Sequence, residues 1–164
     1  MRKYMKALYA GSFDCYTNGH HYIVRQASRV FDELHIVVAV NFNKKRCFDG
    51  DAMVRAIEET LAEDGITNCV VTSYDSLVAD YCRDNDIDFL VRGLRNSMDY
   101  NYEENVASVN KLLNPDLESI YFRSDNAAIS STMVRELLSF GRDVSSYVPG
   151  PVWRYIQTLD LKQR

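Results

Sequence analysis

Apolar positions along this chain follow two periods. Short, nearly continuous apolar runs at Lys6 to Tyr9, His35 to Val40, Cys69 to Ser73, Asp88 to Val91 and Ser119 to Phe122 have the length of buried strands. Between them, apolar residues recur every three or four positions: Ile23, Ala27, Val30 and Phe31; Val54, Ile57 and Leu61; Tyr102, Val106, Val109 and Leu113. That spacing places each set on one helical face. Asp49-Gly50-Asp51 reads as a loop ending in a helix N-cap, and Val148 to Leu161, with Pro149 and Pro151 at its start, predicts a last helix.

Strand and helix alternating in units of roughly 30 residues predict an α/β fold: a doubly wound five-stranded parallel sheet with right-handed crossovers and strand order 3-2-1-4-5. Ligands of such sheets bind beyond the carboxyl ends of the strands. The 164 residues fit one domain, expected to bury roughly 70% of the surface of the unfolded chain.

Composition narrows the classes of partner. With 46% hydrophobic and 26% charged residues, no apolar run long enough for a bilayer and no leader pattern over Met1 to Met5, a cytoplasmic protein without a membrane partner is expected. A net charge of -4 argues against broad nucleic-acid binding, which needs a basic face. An anionic small molecule needs only a local cluster, and Lys44-Lys45-Arg46, Arg92 with Arg95, and Arg135 offer three, although lone basic residues are more often solvated. Cys15, Cys47, Cys69 and Cys82 form no C-x-x-C pair and no zinc spacing with histidine, so reduced thiols and no metal ligands are expected. Cys15 stands close to a helix start, where a thiol pKa falls.

The candidate chemistry starts in the loop from Ala10 to His20, after the first strand. Its small residues let the backbone approach a ligand, and the free N–H groups of the next helix suit an anion. Ser12, Thr17 and His20 converge there. Neighbouring residues on a helix point about 100° apart, so His20 and His21 cannot share one ligand; His20 is chosen, His21 is left to surface or packing, and His35 is structural. Arg92-Gly93-Leu94-Arg95 follows the fourth strand, where a guanidinium makes two parallel bonds to a phosphate. Ile129-Ser130-Ser131-Thr132 with Arg135 opens another helix. Taken alone, each has a plain alternative, since glycine loops are common in α/β proteins and helix-start hydroxyls are usually caps.

Together these motifs resemble the phosphopantetheine adenylyltransferase family of the T/H-x-G-H nucleotidylyltransferase superfamily. The resemblance rests on Gly11-Ser12-Phe13-Asp14 with Thr17-Asn18-Gly19-His20, on Arg92-Gly93-Leu94-Arg95 followed by Asp99, Tyr102 and Glu103, and on Ile129-Ser130-Ser131-Thr132 with Val134-Arg135-Glu136, in that order. It implies a Rossmann-like fold and transfer of AMP from ATP to 4'-phosphopantetheine. His20, Lys44 and Arg95 would be catalytic. ATP would meet Ser12, Phe13, His20, Gly93, Leu94, Arg95, Glu103, Ile129, Ser130, Ser131 and Thr132, with Glu103 at the ribose. The acceptor would meet Ser12, Lys44, Leu77, Val78, Arg92 and Asn110. Mg²⁺ would ride mainly on ATP oxygens. The resemblance also implies a hexamer and leaves feedback binding of coenzyme A open.

Two departures from the family pattern carry expectations. Ala10 and Cys15 stand where most relatives have prolines, which predicts a looser phosphate loop. The connection from Arg123 to Ala128 is short and lacks an aromatic, which bears on how tightly ATP and its base are held. Two rival readings stay open: a sister enzyme with another phosphorylated acceptor such as nicotinamide mononucleotide, and a non-catalytic nucleotide-sensing domain.

Overall fold

A computed structural model describes residues 2–124 and 128–159, the side chain of Met98 apart. Strands β1 (Lys6–Gly11), β2 (Glu33–Ala39), β3 (Cys69–Tyr74), β4 (Phe89–Leu94) and β5 (Glu118–Arg123) alternate with helices α1 (Asn18–Val30), α2 (Gly50–Glu63), α3 (Val78–Asp84), α4 (Ser97–Leu113), α5 (Ser131–Ser139) and α6 (Gly150–Gln157). All strand pairs are parallel, in the order β3-β2-β1-β4-β5. The predicted topology is the one observed.

Parallel pairing sends every strand's carboxyl end to one rim, and β1 lies at its centre, with Gly11 beside Val38 of β2 and Ala7 beside Phe89 of β4. Alternation along β1 divides the core. Ala7 and Tyr9 join Ile23, Val24, Met53, Ile57, Val134, Val152 and Ile156 on one face, under α1, α2, α5 and α6. Leu8 and Ala10 join Val37, Leu90, Tyr81, Cys82, Ile87 and Leu117 on the other. This second cluster is small, and that has a consequence for α4.

The apolar stripe of α4 faces largely outward: Tyr102, Val109 and Leu113 are exposed, as is Leu112, while Val106 is half-buried. The inward side carries the buried Glu103, with half-buried Ala107 and Asn110. Periodicity identified the helix, but an apolar stripe does not say whether its own core will cover it. A smaller correction concerns α1, where Val30 is exposed at the helix end and Phe31, the C-cap, is buried instead. Asp49 itself is the N-cap of α2, so Gly50 and Asp51 are already helical. Pro149 caps α6, which ends at Gln157, and positions 160–161 of its predicted span lie outside the described residues.

Candidate active site

At the carboxyl end of β1 the chain makes the tight passage Ser12–Thr17 into α1. Phe13 has a positive φ of 43° and packs over Gly11, where an added Cβ would stand 3.2 Å from the Phe13 ring. The loop is packed into the molecule: Phe13, Asp14, Cys15, Tyr16 and Thr17 are all buried. Side chains hold this loop where prolines were missed. Arg46 donates to the carbonyls of Ser12 (2.7 Å) and Phe13 (3.4 Å), Arg135 donates to that of Asp14, and the Ser131 hydroxyl donates to that of Cys15 (2.6 Å). Asp14 accepts the Cys47 and Phe48 amides at 3.0 and 2.9 Å.

Helix α1 starts with a capping box. The His20 amide donates to Thr17 Oγ1 (3.3 Å), and the Thr17 amide donates back to His20 Nδ1 (3.0 Å). An Nδ1 that accepts a backbone proton must be unprotonated, so the ring's proton sits on Nε2. The imidazole stacks on Tyr16 and meets Phe13 edge-on. Burial, with the nearby Arg95 and Arg92 charges, lowers its pKa to about 4, so it is a neutral donor at pH 7. His21 turns away: its ring bonds Tyr16 Oη and Asp64 Oδ2, both at 2.9 Å, which makes it packing rather than surface. His35 is buried between Tyr81 and Glu33.

A cleft of about 310 Å³ opens over this helix start, lined among others by Tyr9, Ser12, Phe13, Thr17, His20, Arg92, Gly93, Arg95, Asp99, Glu103, Ser124, Ile129, Ser130 and Ser131. Its size is at the lower end for ligand clefts. Two cations face it, each held by a carboxylate. Arg92 makes a bidentate pair with Glu103 (2.5 and 2.8 Å) and reaches the Ala10 carbonyl (2.9 Å). Burial opposes its charge, but Glu103 more than offsets this and its pKa is raised. Arg95 pairs with Asp99 at 2.9 Å. Ser130 caps α5, accepting the Met133 amide at 3.1 Å. The arrangement is a set of donors around a space, and it suits binding of phosphate oxygens.

A cytidylyltransferase-like family model matches residues 8–137. The phosphopantetheine adenylyltransferase of Shouchella clausii (strain KSM-K16) is 38% identical over 149 residues, covering 90% of this chain and 92% of its own. That of Streptococcus pyogenes serotype M5 is 39% identical over 158 residues, covering 94% and 96%. The chain belongs to the phosphopantetheine adenylyltransferase family. In fold it is similar to a bifunctional NMN adenylyltransferase/ADP ribose pyrophosphatase from Francisella tularensis, with a TM-score of 0.76, 15% identity and 95% of this chain covered. The chain spans about half the length of that protein, 49%. A structure of a protein of that name and organism complexed with AMP gives a TM-score of 0.67.

Of the residues that the family resemblance singled out, Ser12, Phe13, His20, Arg92, Gly93, Arg95, Glu103, Ile129, Ser130 and Ser131 meet at the cleft. Six do not line it. Lys44 lies on an exposed turn after β2, Leu77 is the exposed N-cap of α3, and Val78 follows it. Asn110 sits on the inward side of α4, Leu94 ends β4, and Thr132 Oγ1 accepts from Arg135 at 3.4 Å. Glu103, expected at a ribose, is engaged by Arg92. Cys15 is another correction: burial pushes its thiol up to about 12, the opposite of an activated thiol, because the residue points into the core instead of at the helix end. Residues 125–127 of the short connection lie outside the described residues. Sequence reasoning passed over Asp99 and Arg46 as site residues. The four-residue step from Arg95 to Asp99 is a visible signal, whereas Arg46 reaches the Ser12 and Phe13 carbonyls from 34 and 33 positions away.

Proposed function

We propose that this chain transfers AMP from ATP to 4'-phosphopantetheine, giving dephospho-coenzyme A and pyrophosphate. The observation that carries the reading is His20: a neutral ring with a fixed Nε2–H, beside Arg92 and Arg95, at the cleft of a family member. A phosphate oxygen of the acceptor attacks the α-phosphorus, and the bond from that phosphorus to the pyrophosphate oxygen breaks. The nucleophile is already an anion, so what the reaction needs is alignment of two repelling anions and donors for the charge that builds on the α-phosphate. His20 supplies such a donor. Arg92 and Arg95 meet phosphates by exchanging Glu103 and Asp99 for them, and Ser130 and Ser131 line the triphosphate side. Lys44, on the exposed turn after β2, is the cation that the family resemblance assigns to bridging the acceptor phosphate and the α-phosphate.

Mg²⁺ fits this reading as an ion carried by the nucleotide. The cleft's Asp99 and Glu103 are engaged by arginines. When bound with ATP, the ion neutralises triphosphate charge. The reading extends to a cytoplasmic homo-oligomer, a hexamer as the family resemblance implies, the oligomer supported by the exposed apolar side of α4. Among the described residues no helix is long and apolar enough to cross a membrane. Coenzyme A, which carries both an adenylyl and a pantetheine end, would compete for the same groups.

The test is to incubate the purified chain with ATP, Mg²⁺ and a panel of acceptors including 4'-phosphopantetheine and nicotinamide mononucleotide, measuring pyrophosphate. Release with phosphopantetheine alone is the expected result. Release with nicotinamide mononucleotide instead would overturn the reading.

A further inference from the structure

We propose that Arg46 is a positioning residue for adenylyl transfer, holding the phosphate loop and the loop that carries Lys44 in one register. The proposal rests on the function proposed above. Arg46 does not line the cleft, and its side chain is only 15% exposed. All three of its guanidinium nitrogens donate to backbone carbonyls. Nη1 reaches Ser12 (2.7 Å) and Ala39 (3.4 Å), Nη2 reaches Phe13 (3.4 Å), and Nε reaches Phe48 (2.9 Å). A rigid fork of five N–H groups makes this set; a single ammonium cannot.

Two consequences follow for the site. In a trans peptide the carbonyl and the N–H point in opposite directions, and the Ser12–Phe13 peptide is trans. Drawing the Ser12 carbonyl toward Arg46 therefore turns the Phe13 N–H away from Arg46, which stands outside the cleft that Ser12 and Phe13 line. Arg46 is also two residues from Lys44, whose own turn is exposed. The clamp is closed from the other side by Asp14, which accepts the Cys47 and Phe48 amides. The two loops are thus tied to each other by side chains reaching across in both directions. A misplacement of about 1 Å in such parts costs on the order of a hundredfold in rate.

The experiment compares wild type, Arg46→Ala and Arg46→Lys with ATP, Mg²⁺ and 4'-phosphopantetheine, and follows hydrogen exchange at residues 12–15. Arg46→Ala should lose tenfold or more in kcat while both KM values move less than threefold, and millimolar methylguanidinium should restore part of the rate where methylammonium does not. Arg46→Lys keeps the charge and covers the case in which the alanine variant fails to fold; its kcat should stay at least fivefold down. Either variant, folded, with kcat within twofold of wild type would overturn the proposal, as would unchanged exchange at 12–15 in Arg46→Ala. A wild type inert toward phosphopantetheine but with Arg46-dependent exchange would overturn the underlying function and with it the role in transfer.

Discussion

Replacing His20 by alanine separates two effects that the structure assigns to one ring. The ring's proton is locked on Nε2 by the Thr17 amide, and the pKa near 4 keeps it neutral in any assay above pH 5. Loss of one preorganised transition-state donor costs about 3 kcal/mol, a hundredfold or more in turnover. ATP affinity, measured by calorimetry, should change less than threefold, because the arginines that hold the ground-state phosphates remain. The second effect is on stability. An unfolded His20 has the ordinary value of 6.5, so as pH falls from 6.5 toward 4 the unfolded chain takes up a proton that the native ring refuses. Native stability therefore drops on acidification through that window and is flat in this respect above it. Between pH 7 and pH 5, wild type should lose about 1–2 kcal/mol more than His20→Ala in urea unfolding. Turnover and ATP affinity falling by equal factors would refute the donor role. Equal acid sensitivity of the two proteins would refute the buried, neutral ring.

Three further outcomes follow from the same geometry. Glu103→Ala leaves the Arg92 guanidinium without its bidentate partner and should cost about 2–3 kcal/mol in urea unfolding; millimolar pyrophosphate should raise its melting temperature more than that of wild type, by occupying the vacated cation. Leu112→Glu, at a position 83% exposed on α4, should leave the unfolding midpoint of the protomer within about 0.5 kcal/mol and reduce the particle mass seen by light scattering. Cys15 and Cys82, both buried with thiols pushed up to about 12, should resist a disulfide reagent at pH 8 until the protein is unfolded; prompt labelling of Cys15 in the native state would contradict its placement.

What was legible in the sequence is what depends on local spacing. The five strands and their order followed from run length and alternation, and His20 was separable from His21 because one helical step turns a side chain by about 100°. The cleft residues after β1, β4 and β5 were legible for a related reason: a parallel sheet collects the residues that follow its strands at one rim. Where a property is decided by a partner far along the chain, the same reasoning failed. Glu103 reads in the sequence as a substrate contact, and nothing there shows that Arg92, eleven positions earlier, engages it in the structure. The stripe Tyr102, Val106, Val109 and Leu113 is visible in the sequence, but the size of the core is not: on that side of the sheet it is too small to cover more than half-buried Val106. Loop stiffness is the sharpest case. Prolines stiffen a chain through its own dihedral angles and can be counted in a sequence. Guanidinium bonds to carbonyls stiffen it from 34 and 121 positions away, as Arg46 does at Ser12 and Arg135 at Asp14. An arginine in such a role looks, in one dimension, like any solvated charge. The loss of the prolines at positions 10 and 15 thus predicts mobility only if nothing distant replaces them, and here the replacement comes from Arg46 in the loop after β2 and from Arg135 on α5.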